Sequence, residues 1–285
     1  MSSKFDEENK MDNFVPPEEN YGKWGRDLER WYFDPVFLNS DQLNMSKPAL
    51  FVGNHTLYGL LDVPLFVEYI REQHGIHLRS LGDRMHFNVP IWKDILTKGG
   101  MVLGSPENCH ALMESGQSII VFPGGAREVM RRKGEKYQLI WKKRTGFARL
   151  AIEHGYDIIP FASVGADDCF DIVIDANDIQ QNATAQKVLK AFKLNDKLRG
   201  GDILPPIPVG VGYLPIPKPQ RFYFSFGERI STLNVVDDEQ GIWNIREQVA
   251  QSIKDQISEL KKYRSTDKKQ NWSWLRKKLT KNFDE

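Results

Sequence analysis

Ala49-Leu50-Phe51-Val52-Gly53-Asn54-His55 is a short apolar run that stops at a glycine and hands the chain to an asparagine and a histidine. Further along, Ser118 to Val121 repeat the form and lead into Phe122-Pro123-Gly124-Gly125-Ala126-Arg127-Glu128. Both runs read as buried strands that end abruptly, and in an α/β protein the ends of strands are where sites are built.

Working outward, further strands are expected at 77–81, 100–103 and 157–163, beside the quoted runs at 49–53 and 117–122. Helical patterns fall between them at 63–73, 87–98, 106–115 and 144–154. That alternation predicts βαβ units, hence an α/β fold with a mostly parallel central sheet flanked by helices. Past Asp171 the pattern loosens. A helix is expected near 184–193, followed by a Pro/Gly-rich stretch from Pro205 to Pro219 and the β-prone run Arg221 to Phe226. Ile242, Ile245, Val249, Ile253, Ile257 and Leu260 then share one face of a helix from about 241 to 263.

The 285 residues are enough for a full core, with 40% apolar and 27% charged residues, and a net charge of +1 gives no global pull toward nucleic acid. Cys109 and Cys169 stand apart in no metal or redox spacing, which suits a reducing compartment. The polar, acidic start lacks an apolar signal-peptide core, and no stretch approaches the roughly 20 apolar residues of a spanning helix. The expected organisation is a disordered segment at 1–20, one catalytic domain at 21–263 and a basic aromatic tail at 264–285, with no internal repeat. In the lead-in, Trp24, Trp31 and Phe37 are read as packing on the core. Trp272 and Trp274, set among lysines in the tail, fit either an interfacial anchor or a solvated basic helix.

His55, at the turn after its strand, can serve as a general base if one ring nitrogen is held by a partner. Asp62 is the candidate partner; since it precedes Val63-Pro64 it also reads as a helix N-cap, and the two roles are compatible. Gly124 and Gly125 let the backbone leave its strand sharply with N–H groups turned outward, a form suited to an oxyanion. Arg127 adds a permanent charge with bidentate geometry for phosphate or carboxylate. Together these groups point to acyl transfer. His74 and His77, close in sequence but without a carboxylate or thiol at ligand spacing, read as surface residues, and no metal is implied. No Gly-x-Ser-x-Gly elbow exists, which disfavours a serine hydrolase.

Four segments in order carry a family resemblance. Phe51 to His55 resembles the first motif of the lysophospholipid and glycerolipid acyltransferase superfamily, and Val121 to Glu128 (VFPGGARE) is similar to its third. Trp141 to Ala151 resembles the helix that follows, and Ile158 to Asp168 (IIPFASVGADD) looks like the fourth motif. Within the superfamily the likeness is greatest to the phytyl ester synthase and type-2 diacylglycerol acyltransferase branch.

The resemblance implies transfer of a fatty acyl group from acyl-CoA or acyl carrier protein, a co-substrate rather than a cofactor, to a lipid hydroxyl. His55 and Asp62 would be the catalytic pair, with Asn54, Gly124, Gly125, Arg127 and Glu128 in the substrate site. Asp62 stands seven positions after His55 instead of the usual five, which bears on its role. The Glu that phosphate-binding relatives carry is replaced by Gly124, and Gly99 to Gly104 hold no arginine. Both departures lean the acceptor toward a neutral lipid alcohol; a phosphate-bearing lysophospholipid acceptor and a lipid esterase or thioesterase are the alternatives. A lipid substrate implies attachment to a membrane surface, and the expected localisation is cytoplasmic and peripheral to the membrane.

Overall fold

The computed structural model describes residues 23–269, apart from 88–89, 185–186, 188–201 and 203. The expected disorder at 1–20 and the tail tryptophans Trp272 and Trp274 lie outside the described residues, as does most of the helix expected near 184–193.

A seven-stranded sheet forms the centre, in the order β1-β9-β6-β2-β5-β3-β4. Its strands are β1 (Val36–Leu38), β2 (Leu50–Gly53), β3 (Arg79–Gly82), β4 (Met101–Leu103), β5 (Ile119–Val121), β6 (Ile158–Val164) and β9 (Tyr223–Phe226). From β6 through β4 every pairing is parallel. Strand β9 runs antiparallel to β6, and β1 pairs parallel with β9. The five strands expected from the sequence therefore make the parallel body, and the β-prone run after Arg221 supplies the antiparallel addition. Strands β7 (Asp171–Ile174) and β8 (Ile207–Val209) form a separate antiparallel pair.

Strand β2 is buried on both faces. Leu50 and Val52 face one core with Leu112, Phe147 and Val249, whereas Phe51 faces another with Phe66, Phe161 and Phe224. The period-2 side-chain alternation of a strand splits one continuous apolar run between two layers.

The first layer holds α5 (Pro106–Glu114), α7 (Gly146–Glu153) and α9 (Glu239–Thr266). All six residues predicted to share a face of α9 are buried, each worth about 1.5–3 kcal/mol of transfer free energy as an upper estimate. Asp238 caps α9 by accepting from Gly241 N at 2.7 Å, and Ser105 caps α5 ahead of Pro106. The helix runs past the predicted domain end. Arg264 reaches Asp168 and Gln220, and Asp267 accepts from Arg221 and Tyr223, so the folded unit extends at least that far.

The second layer holds α1 (Lys23–Phe33) and α2 (Val63–His74). Here the lead-in departs from expectation. Phe37 does pack, stacking on Tyr69 at 3.6 Å, but Trp24 is 80% and Trp31 65% exposed. Among the described lead-in residues the buried aromatic is Phe33, stacked on Phe222 at 4.2 Å. The short helices α3 (Arg84–Phe87) and α4 (Pro90–Lys98) connect β3 to β4; α6 (Gly125–Val129) follows β5, and α8 (Ala176–Gln181) follows β7.

Candidate active site

Strands β2 and β5 lie side by side with Val52 opposite Val121, so the residues just beyond them are neighbours. The chain leaves β5 for β6 on the far side of β2, which makes this strand edge a point of reversed connection, the favoured place for a site in an open α/β sheet. His55 and Phe122 meet there, ring on ring, with centroids 4.2 Å apart and planes 21° from parallel. Gly59, at φ +59°, lies against the same ring, and a β-carbon on it would collide with the imidazole. The ring thus has as close neighbours one aromatic and one residue that must be glycine.

His55 is held by its backbone as well. Its N–H donates to Glu128 Oε1 at 3.0 Å, and its carbonyl accepts from Arg131 at 2.6 Å. Glu128 and Arg131 approach to 3.6 Å, and Arg131 Nε stands 3.1 Å from Asp167. Asp167 in turn accepts from the N–H groups of Leu57 and Tyr137 at 2.8 and 2.9 Å. This buried Glu-Arg-Asp network ties the first, third and fourth sequence motifs together. Sequence reasoning named Glu128 but missed Arg131 and the specific use of Asp167. The available signal was the i,i+3 spacing of Glu128 and Arg131 beside the Asp-Asp of the fourth motif.

Burial pushes the His55 imidazole down to about 3, and the positive charges of Arg131 and His86 push the same way. The ring is accordingly neutral at physiological pH. Its Nδ1 is buried and makes no hydrogen bond among the described residues, while the residue as a whole is only half-buried. Burial raises Glu128 to about 7, with Arg131 acting against the rise.

Asp62 is buried at the N-cap position of α2, but its carboxylate neither caps the helix nor reaches the imidazole. It accepts from Thr56 Oγ1 at 2.7 Å, and burial raises its pKa. The expected capping role is therefore corrected: the side chain turns inward and pins the loop after His55. Asn54 extends the β2–β6 ladder, exchanging bonds with the backbone of Ser163 at 3.0 and 2.9 Å, so its carboxamide is engaged by protein. Arg127 is also engaged. It is buried and forks onto Glu135 at 2.5 and 2.9 Å, with Asp202 at 3.7 Å.

At the glycine turn, Gly125 N donates to Phe122 O at 2.9 Å, which leaves Gly124 N as the better placed of the two amides for an incoming oxyanion. A β-carbon at Gly124 would collide with the Glu128 carboxylate, so the turn and the clamp require each other. The exposed Arg144 donates to the carbonyls of Pro123 and Gly124 and braces the turn from outside.

Neither cysteine has nucleophile chemistry: both are buried, Cys109 is pushed up to about 11 and Cys169 well above its ordinary value. A surface cavity of about 390 Å³ bounded by Lys47, His77 and Ser118 lies at the opposite sheet edge and contains none of these groups. Among the described residues, metal-ligating side chains gather at His110, Glu153 and His154, and His74 and His77 are not part of that group. No helix among them is long and apolar enough to cross a membrane.

The family profile described as diacylglycerol acyltransferase matches residues 24–270. Phytyl ester synthase 2, chloroplastic, of Arabidopsis thaliana is 34% identical over 252 residues, covering 81% of this chain and 35% of that protein. Diacylglycerol O-acyltransferase 2B of Umbelopsis ramanniana is 28% identical over 149 residues, 49% of this chain and 42% of the relative. The chain thus spans about a third of the length of the phytyl ester synthase it matches. Among solved structures, the 1-acyl-sn-glycerophosphate acyltransferase PlsC of Thermotoga maritima superposes with a TM-score of 0.52 at 13% identity, covering 87% of this chain and 84% of the other. That likeness shows the fold, an α/β sheet flanked by helices. By the match along nearly its whole described length, the chain belongs to the diacylglycerol acyltransferase family.

Proposed function

We propose that this chain is an O-acyltransferase that moves a fatty acyl group directly from a thioester, acyl-CoA or acyl carrier protein, to the hydroxyl of a neutral lipid alcohol. The observation that carries the reading is the half-buried, neutral His55, its ring packed against Phe122 and close to Gly59 at the end of β2. In the reaction a C–O bond forms as the hydroxyl attacks the thioester carbonyl, and the C–S bond breaks. His55 takes the hydroxyl proton and returns it to the departing thiolate. Because the site disfavours imidazolium, the two transfers are closely coupled and the charged ring does not accumulate. Gly124 N is the donor offered to the developing oxyanion.

A neutral acceptor is favoured over a phosphate-bearing one because Arg127 and Arg131, the guanidiniums behind the strand ends, already hold carboxylates. The names of the similar proteins, phytyl ester synthase and diacylglycerol O-acyltransferase, support the same acceptor class. Attachment to a membrane surface is part of the proposal, since the acceptor is a lipid.

The test is incubation of the protein with radiolabelled acyl-CoA and a panel of lipid alcohols, with lysophospholipids in parallel. Labelled neutral ester is expected, and His55→Ala should lower its formation by about 10²–10⁴-fold with unchanged circular dichroism. Free fatty acid as the sole product would mean a thioesterase. Preference for lysophospholipid would overturn the acceptor assignment.

A further inference from the structure

His110 lies within α5, Glu153 ends α7 and His154 follows it. His154 comes just before β6 begins, whereas His55 follows the far end of β2, and β2 and β6 run parallel in register from Leu50 opposite Ile158. The two histidines therefore stand at opposite edges of the sheet, and acyl transfer makes no use of the first. His110 Nδ1 and His154 Nε2 are 2.7 Å apart, and a Glu153 oxygen is 3.9 Å from the same Nδ1. One ligand atom from each residue fits within a span of 4.8 Å.

Two imidazole lone pairs cannot face each other at that distance without something positive between them. A proton on one ring satisfies the pair alone; a metal ion satisfies the pair and the carboxylate together. Two imidazoles with one carboxylate are a donor set for borderline divalent ions, Zn²⁺ above all, whereas Mg²⁺ and Ca²⁺ select oxygen ligands. Metal–nitrogen bonds of about 2.0–2.1 Å in a tetrahedron require the nitrogens to open to about 3.3 Å, a small ring rotation. His110 and Glu153 retain 35% and 48% side-chain exposure, so an ion has a path in. The scaffold beneath is already fixed: Tyr156 donates to the carbonyls of Met113 and Gln117 at 2.9 and 3.2 Å, and Leu112, Met113, Ala148 and Ala151 share the core under both helices.

We propose that His110, Glu153 and His154 bind a Zn²⁺-class divalent ion, with water completing the tetrahedron, and that the ion clips α5 to α7 at the edge remote from the acyl-transfer site.

The full chain, stripped with chelator, is titrated calorimetrically with Zn²⁺ and separately with Mg²⁺. One Zn²⁺ per chain and no Mg²⁺ response are expected, with a melting point about 5–10 °C higher when free Zn²⁺ is 100-fold above its Kd. His110→Ala and His154→Ala should each weaken binding by more than about tenfold, a loss that outer-shell partners alone can produce, while ester formation is unaffected. Glu153→Gln, at an exposed position, and the visible spectrum of the Co²⁺ form of the unaltered chain serve if an alanine variant fails to fold. Absence of saturable Zn²⁺ binding overturns the proposal. So do an isotherm unchanged in the variants and a Co²⁺–thiolate band, which would move the ion to a cysteine.

Discussion

Arg131 donates to the main-chain carbonyl of His55 at 2.6 Å, from 76 residues further along the chain. The same guanidinium stands between Glu128 and Asp167 and is itself 1% exposed. A residue bound for chemistry is usually steadied through its side chain, but here the clamp closes on the backbone on both sides of the ring, through Glu128 and Arg131. Among the described residues the imidazole Nδ1 has no hydrogen-bond partner, while the position of the residue is set by strands, by Phe122 and by this ion network.

Removing the centre of that network leaves two carboxylates buried without their cation, which costs about 3–5 kcal/mol. Arg131→Met should therefore lower the melting temperature by about 6–20 °C, using 2–4 °C per kcal/mol for a chain of this size. Arg131→Lys should recover part of the stability but little activity, because an ammonium cannot fork between Asp167 and the His55 carbonyl. A melting curve for the Met variant within 2–3 °C of the parent, about 1 kcal/mol on that scale, would remove the clamp from the account.

Glu128 predicts a pH dependence whose sign can be worked out. Its carboxyl is raised from an ordinary 4.5 to about 7 in the folded state, burial being the main cause. As pH climbs through that window the unfolded chain ionises first, so the contribution of Glu128 to stability is full below about 4.5 and lost by about 7. The change amounts to about 3 kcal/mol at 1.36 kcal/mol per pH unit. His55, lowered to about 3, works oppositely, with stability present above 6.5 and lost toward acid, but it cancels in a comparison of variants. Urea unfolding of parent and Glu128→Gln from pH 4.5 to 8 should show the difference between them drifting in the variant's favour as pH rises. Parallel curves would contradict the burial effect.

The low value for His55 also bears on the rate profile. A base that is neutral down to about pH 3 in the free enzyme gives no acid limb near 6.5 in kcat/KM. In Glu128→Gln the profile should stay flat from pH 8 to about 5, and any inflection near 7 in the parent, which would belong to Glu128, should be absent. An inflection near 6.5 that survives this substitution would assign an ordinary, solvated imidazole to the reaction.

Much of the fold was legible because β2, β5 and β6 are short apolar runs bounded by turns, and the α9 stripe repeats at helical spacing. What escaped was non-local. Strand β1 is three residues long and exists by pairing with β9, Val36 opposite Tyr223, a partner no local pattern announces. Asp62 precedes Val63-Pro64 like a cap, yet Thr56 offers its carboxylate a buried donor. Arg127 has the charge of an anion receptor, but Glu135, eight residues on, folds back to occupy it. Spacing supplied the residue types at the strand ends; which group each one contacts was decided by chain returning from elsewhere.

The pairing of Arg127 has its own consequence. Arg127→Ala should lower stability by leaving Glu135 without its guanidinium, while Asp202 keeps Lys142, with the KM for acyl-CoA changed by less than about twofold if the guanidinium makes no uniform contact with substrate. A KM rise of tenfold with an unshifted melting point would return Arg127 to the substrate site.

Membrane attachment can be tested without disturbing the fold if the cut respects Asp267, whose carboxylate accepts from Arg221 at 2.7 Å and Tyr223 at 3.0 Å. Ending the chain after Lys269 removes Trp272, Trp274, Arg276, Lys277, Lys278 and Lys281 while keeping both bonds. Each basic residue near an anionic surface contributes about 1 kcal/mol, and salt screens it. The shortened protein should float poorly with anionic vesicles, and high salt should do the same to the full chain. Equal flotation would shift the contact to the exposed Trp24 and Trp31 of α1.

Gly59 gives the most selective test of the imidazole's seat. At φ +59° an alanine there is strained, and its β-carbon also meets the His55 ring. Gly75, at the end of α2, has nearly the same backbone at φ +67° but open space around it. Both substitutions share the left-handed penalty of about 1–2 kcal/mol, so their melting points should fall together by a few degrees. Only Gly59→Ala must displace the ring, and a shift of about 1 Å in a catalytic group costs roughly 10²-fold in rate. Ester formation should therefore collapse in Gly59→Ala and persist in Gly75→Ala at matched folded fraction. If both retain activity, the ring is free to move aside and the glycine beside it plays no part in catalysis.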